Sequence, residues 1–226
     1  MNELDWRRLG FLTPDAPDCL REVWALQAML QRHLGDSLSG LALETAEPSW
    51  EATLSEAAAR SRLLADELTT EAGETAVITV ADDELAREFD SSMAEVLASG
   101  HVPSLLVTGF AVVGELGRVP ISLLEGVSGP YGRLLCGKIV SSEEHHLLGR
   151  LAGIVHLDSP AKTNLRRLLR HLNGSLFGVF ESWRQTFHVL GVDGEDLARS
   201  ARTSTSSAYE TLGLKATRAD LSLFGR

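Results

Sequence analysis

The chain has 226 residues, of which 44% are hydrophobic and 23% charged, and its 31 acidic and 21 basic residues give a formal net charge of −10. A chain of this length can bury roughly 70% of its unfolded surface, and this composition excludes a wholly disordered or fibrous protein. The negative charge disfavours a generic nucleic-acid or anionic-membrane binder, although it is compatible with a local basic patch.

The N-terminal residues contain no basic region followed by an apolar core, so we expect no signal peptide. Cys19 and Cys136 stand alone and form no disulfide pattern. The longest apolar stretch, Val102 to Val113, is shorter than the ~20 residues that span a bilayer. These features predict a soluble, cytoplasmic protein with no nucleic-acid or membrane partner.

The first third of the chain has mainly helical periodicity. Residues 1–15 form a loose lead-in, and an amphipathic helix follows from Asp18 to Leu34, with Gly35 as its expected end. The next helix is predicted from about Pro48 to Thr70. The AVITV run at 76–80 is the only credible strand, and an extended linker explains it equally well.

The remaining segments also predict helices. Their expected ranges are 84–98, capped by Asp82 and Asp83; a central apolar helix within 104–126, kinked or divided at Pro120; 131–155, opened by Pro130; 159–190, with a possible break at Asn173-Gly174; and 194–212. The sequence therefore predicts an all-α fold of six to seven helices in one domain, 1–226.

The strongest local motif is SSEEHH at 141–146. Glu143 and His146 are three residues apart, so on a continuous helix they share a face and can bind one metal ion. An alternative is that Ser141 and Glu144 form a capping box at a helix start, where the acidic residues complement the helix dipole. Pro130 gives an earlier start, which favours the mid-helix position typical of metal ligands in bundles.

Glu115 lies in VTGFAVVGELG, the most apolar segment of the chain. A carboxylate there must be paired, protonated or bound to a cation, because an unpaired buried charge is very costly. It precedes the ExxH motif by one helix, so Glu115, Glu143 and His146 form a predicted metal site. The alternatives are a buried ion pair with an arginine, or a point where the helix reaches solvent at Arg118.

Two stretches bear a family resemblance. DDELAREFDSSMAEVLASGHVPSLLVTGFAVVGELGRVPISLLEG with YGRLLCGKIVSSEEHH, and GEDLARSARTSTSSAYETLGLKATRADLSL, resemble the ferritin-like subunits of the bacterial phenylacetyl-CoA epoxidase. The resemblance covers roughly 80–160 and 190–223. It implies a ferritin-like up-down bundle in phenylacetate catabolism, as either a diiron catalytic subunit or a related subunit that has lost the metal. A ferritin-like tRNA hydroxylase family is also similar around SEEHH, but its polyanionic substrate fits poorly with the net charge.

The chain departs from the diiron pattern in its second helix. SWEATLSEAAARSRLLADEL contains no His, so Glu115, Glu143 and His146 are only half of a diiron site, and the other half would need donors such as Glu22, Glu44, Glu56 or Glu181. Two hypotheses follow. One is an oxygenase-type protein whose non-haem iron supports O2-dependent oxidation of an aromatic or acyl-CoA substrate. The other is a metal-free structural subunit. Either would form a homo-oligomer, or a hetero-oligomer with another ferritin-like subunit.

Overall fold

The fold is seen in a computed structural model that describes residues 15–127, 130–140, 143–154 and 159–224. The predicted lead-in falls almost entirely outside the described residues. Every regular element in the described ranges is helical, which confirms the all-α prediction. The elements are α1 Ala16–Glu44, α2 Pro48–Asp82, α3 Glu84–Ala98, α4 Val102–Val107, a π-helix Thr108–Leu116, α5 Val119–Val127, α6 Pro130–Val140, α7 Glu143–Ile154, α8 Ser159–Ser182, α9 Arg184–Val189, α10 Gly194–Thr211, α11 Arg218–Leu221 and a 3₁₀ turn Ser222–Phe224.

Helices α1 and α2 are the longest and make the most extensive helix–helix contact in the described part of the chain. The prediction that the first helix ends at Gly35 is wrong, because α1 continues to Glu44. Gly35 lies inside the helix, where a Cβ atom would be 3.2 Å from the Ala58 carbonyl oxygen of α2. The glycine therefore lets the two helices approach closely instead of ending the first one.

The predicted strand or linker at 76–80 is also wrong, because these residues belong to α2. Gly73, with φ 77° and ψ 164°, produces a kink before them. Ala76 and Val80 are buried four residues apart, the spacing of one helix face. Burial of that face outweighs the preference of the β-branched residues for extended structure.

The predicted central helix is confirmed by its burial. Thr108–Leu116 has a π-helical backbone and contacts α1, α4, α7, α8 and α10. By length and composition alone, the stretch Val102–Leu124 is long and apolar enough to cross a membrane, with a mean hydropathy of 1.4. Its most apolar 18-residue segment is 83% buried inside the protein. The core helix of a soluble protein meets the same criteria.

Several predicted boundaries match the structure. Asp83 caps α3 by accepting from the Ala86 backbone N–H at 2.8 Å, and Pro130 opens α6. The central segment divides just before Pro120, as expected. The break predicted at Asn173-Gly174 lies instead at Trp183, whose indole N–H donates to Asp83 at 3.1 Å. These divisions give more helical segments than the six or seven predicted.

The buried apolar side chains form one continuous cluster from α1 to the C-terminal turn. Phe177 makes edge-to-face contacts with Phe180 and with Phe224, and Phe180 makes another with Phe187. Such contacts add about 0.5–1.5 kcal/mol each to the burial of area. They hold the C-terminal turn against α8, and α10 contacts both that turn and the central π-helix.

Candidate functional site around Glu115

In helix α7, the two middle residues of the EEHH motif face the protein interior and the two outer residues face solvent. Successive residues of a helix are rotated by about 100°, so Glu144 and His145 share one face while Glu143 and His146 share the opposite one. Glu144 and His145 are buried, whereas Glu143 and His146 are exposed. The inward pair therefore approaches the central π-helix, and the outward pair, predicted as metal ligands, does not.

The carboxylate of Glu115 is engaged on both oxygens. The Nε2 atom of His145 lies 3.0 Å from Glu115 Oε1, and the Ser204 hydroxyl of α10 donates to Glu115 Oε2 at 3.0 Å. The same hydroxyl lies 3.2 Å from the Glu115 carbonyl oxygen. Three elements, the π-helix, α7 and α10, therefore meet at one side chain that is 22% exposed.

The His145 ring sits in a pocket shaped by the π-helix. Phe110 stacks on it with ring centroids 5.3 Å apart and an interplanar angle of 15°. A Cβ atom added to Gly114 would clash with His145 Nδ1, at a separation that real side chains do not show. Glycine at 114 is thus what admits the imidazole beside Glu115.

Opposing effects set the charge of Glu115. Burial raises the pKa of Glu115, but the hydrogen bond from His145, the positive charge of His145 when protonated, the Ser204 hydroxyl and the charge of Arg118 together outweigh it. The net pKa of the carboxyl group lies below its ordinary value, so Glu115 is an anion at neutral pH. The expected pairing of this carboxylate is thus observed as a hydrogen-bonded contact, although the partner is a histidine and not the arginine considered from sequence.

Glu144 has a separate partner on α2. Arg60 Nε donates to Glu144 Oε1 at 2.6 Å, and the Glu144 side chain is only 9% exposed. The same guanidinium bonds Glu56 at 2.8 Å and lies 3.8 Å from Glu143. Hydrogen bonding to Glu144 and the surrounding carboxylates raise the pKa of Arg60, and its burial partly opposes this. Arg60 thus links α2 to the first turn of α7.

The predicted trio of Glu115, Glu143 and His146 is not gathered at one point. The Glu143 side chain is 86% exposed, and its described ion-pair contact is with Arg60. His146 is exposed, with its ring centroid 5.9 Å from that of His145. The arrangement does not fit one ion shared by the three side chains. The physical reason is the orientation of α7: Leu148 and Ala152 are buried, Glu144 and His145 share their face, and Glu143 and His146 therefore lie on the opposite side.

The other donors considered from sequence lie elsewhere. Glu22 accepts from the Thr186 hydroxyl at 3.1 Å, and Glu56 pairs with Arg60. Glu44 and Glu181 line separate surface pockets. Across the described ranges, no group of three or more His, Cys, Asp or Glu side chains is arranged to hold a metal ion.

The order of the Glu115 contacts limits the chemistry of this cluster. In a nucleophilic triad the histidine contacts the serine hydroxyl and removes its proton. Here the carboxylate lies between the two, so Ser204 donates to Glu115. Ser204 is thereby held as a hydrogen-bond donor to a fixed anion, and the cluster joins three helices through charge-assisted hydrogen bonds.

No protein-family model matches the chain, and a search of curated proteins found no significant match. The resemblance to the epoxidase subunits therefore remains a prediction from the quoted segments, and the functional argument depends on the geometry of the site.

Proposed function

We propose that this chain is a metal-free cytoplasmic subunit with a ferritin-like bundle, which assembles with a related catalytic subunit. The observation that supports this most is the engagement of both Glu115 oxygens by His145 and Ser204. Diiron bundles use inward-projecting glutamates as metal ligands. In this chain the inward carboxylate serves as the anionic half of a pair that stabilises the fold.

The second inward carboxylate supports the same proposal. Glu144 is bound by the Arg60 guanidinium, which supplies the positive charge that a metal ion would otherwise provide. The bound guanidinium already neutralises this carboxylate, and its positive charge beside Glu144 repels a second cation. Competition from Arg60 and His145 therefore lowers the affinity of this region for a metal.

One surface is suited to assembly. An apolar pocket of about 300 Å³ lies where the α1–α2 turn meets α4 and α7, and its lining includes Trp50, Leu106 and Leu151. Leu43, between the lining residues Leu41 and Glu44 in the chain, has 85% of its surface exposed. We take this pocket and the neighbouring end of α1 as the assembly surface, because contiguous exposed apolar surface marks protein–protein contacts.

A second candidate is a non-haem iron oxygenase acting on an aromatic or acyl-CoA substrate. One observation favours it: Glu115 keeps 22% exposure and has a histidine nitrogen, His145 Nε2, 3.0 Å from its carboxylate. Iron binding would require the Glu115–His145 contact to open.

Metal analysis separates the two candidates. Protein expressed in iron-supplemented medium should contain much less than one iron per chain, and anaerobic Fe(II) should leave its melting temperature unchanged. One or two iron ions per chain, lost in Glu115→Gln but kept in Glu143→Gln, would overturn the metal-free proposal.

Assembly is tested by co-expressing the chain with any ferritin-like chain encoded by a neighbouring gene. The two should co-elute in size-exclusion chromatography. Leu43→Glu should abolish co-elution, while Leu63→Glu, at a leucine of α2 that is 68% exposed, should not. Separate elution of the wild-type chains would contradict the proposed partner.

A further inference from the structure

A groove of about 530 Å³ runs between the end of the π-helix with α5 on one side and α10 on the other. We call it the Arg118 groove. The polar residues used in the argument are Glu115, Arg118, Ser122, Arg199, Ser200 and Ser207. Residues 200, 203, 204 and 207 follow the spacing of one helix face, so α10 presents a row of hydroxyls to the groove.

Arg118 is a half-buried cation without an anionic partner in the described part of the chain. Its Nε atom is inaccessible and makes no hydrogen bond there. Glu115 is the carboxylate beside it, but both Glu115 oxygens are engaged by His145 and Ser204. Burial lowers the pKa of Arg118, and the charge of Glu115 offsets this only in part. A guanidinium remains protonated even so, and a bound anion would offset the part of its desolvation that Glu115 does not.

The hydroxyls of the groove differ in whether their protons are available. Ser122 donates to the Arg118 carbonyl oxygen at 3.1 Å, and Ser204 donates to Glu115. The Ser200 and Ser207 hydroxyls make no hydrogen bond within the described ranges. A ligand in the groove can therefore receive hydrogen bonds from these two hydroxyls and from Arg118.

Arg199 provides a second positive charge. It contacts Asp196 at 2.8 Å, but both side chains are more than half exposed, and such a surface pair contributes little. The groove thus offers two guanidinium groups and two hydroxyl donors to one ligand. Arginines and hydroxyls in combination match the several equivalent oxygens of a phosphate group.

We propose that the Arg118 groove binds the phosphate of a small organic phosphate ester. Val119 and Leu123 also line the groove, so the volume beyond the phosphate has an apolar wall for the organic group. Glu115 lines the groove too, and its carboxylate accepts from Ser204; the groove shares no residue with the proposed assembly surface. A local cationic groove is compatible with the net charge of −10.

The test is calorimetric titration of the full chain with phenyl phosphate, inorganic phosphate and benzoate at constant ionic strength. Phenyl phosphate should bind most tightly, with inorganic phosphate and benzoate weaker by about tenfold or more. No binding of phenyl phosphate would overturn the proposal. If phenyl phosphate binds no more tightly than inorganic phosphate, the groove does not recognise the organic group of an ester. If benzoate binds as tightly as phenyl phosphate, the groove does not select a phosphate.

Variants locate the binding in the groove. Arg118→Gln should weaken phenyl phosphate by more than about tenfold, because it removes a charge-assisted bond, and should not lower the melting temperature of the free protein. Ser207→Ala should weaken binding about threefold to tenfold, whereas Ser122→Ala, whose proton is already donated, should change it by less than about twofold. Unchanged affinity in both Arg118→Gln and Ser207→Ala would refute the assignment.

Discussion

Replacing Glu115 tests the role of the ion pair. Glu115→Ala leaves His145, which is 11% exposed, without its carboxylate and removes the acceptor of Ser204. Hydrogen bonds to charged groups contribute about 1.5–3 kcal/mol each, and the partial exposure of Glu115 limits the loss. We expect the free energy of unfolding to fall by about 3 kcal/mol, equivalent to roughly 6–12 °C in melting temperature. Glu115→Gln keeps one accepting oxygen but replaces the other by an NH2 donor and removes the charge, so it should cost about 1–2 kcal/mol.

The measurement is urea unfolding followed by tryptophan fluorescence, since the chain has four tryptophans. Glu143→Gln is the matched control, because it makes the same chemical change on a side chain that is 86% exposed, and it should stay within about 0.5 kcal/mol of wild type. A double-mutant cycle of Glu115→Gln with His145→Gln should give a coupling of about 1 kcal/mol or more. If Glu115→Gln and Glu143→Gln have the same small effect, the ion pair does not stabilise the fold.

The pH dependence has a defined sign. The folded state lowers the pKa of Glu115, so its stabilising contribution is complete above the ordinary glutamate pKa of about 4.3 and is lost as the pH falls through the folded value. The difference in stability between wild type and Glu115→Gln should therefore shrink at acidic pH. A difference that grows as the pH falls below about 4.3 would contradict this account.

Two further substitutions test the surrounding contacts. Arg60→Met should lower the free energy of unfolding by about 2 kcal/mol, because it leaves the buried Glu144 carboxylate unpaired. Arg62→Met breaks an exposed ion pair and should cost less than about 1 kcal/mol in the same urea assay. Equal losses would contradict a special role for Arg60. Gly114→Ala should cost about 1–3 kcal/mol, because the new methyl group displaces the His145 imidazole. Gly178→Ala places its Cβ atom in open space and should be neutral or stabilising by up to about 1 kcal/mol. A neutral Gly114→Ala would show that the imidazole moves freely.

The sequence predicted the elements whose ends carry strong local signals. The Asp83 cap, the start at Pro130 and the last helix from Gly194 all match, because side-chain capping and the fixed φ of proline act within one turn. The predicted end at Gly35 and the strand at 76–80 failed because tertiary packing decided them. A glycine that ends an isolated helix instead permits close contact when a second helix lies against it.

The candidate site was half predictable. Burial of a paired Glu115 followed from its apolar segment, but its partners on α7 and α10 depend on tertiary packing. The orientation of EEHH could be read from the apolar residues that follow it, because Leu148 and Ala152 are buried. Glu144 is four residues before Leu148 and His145 is seven before Ala152, so both share the buried face. The ExxH spacing concealed this, because it drew attention to Glu143 and His146 instead of to the residues that share a face with Leu148 and Ala152.

The central claim of the proposal is that the Glu115 carboxylate binds His145 and Ser204 instead of a metal ion. The most direct test is X-ray diffraction at the iron absorption edge from crystals grown and soaked anaerobically with Fe(II). The account predicts no anomalous peak near Glu115, with His145 Nε2 remaining about 3.0 Å from its carboxylate. A peak at ~2.0–2.2 Å from Glu115 and from a ring nitrogen of His145 or His146 would contradict it.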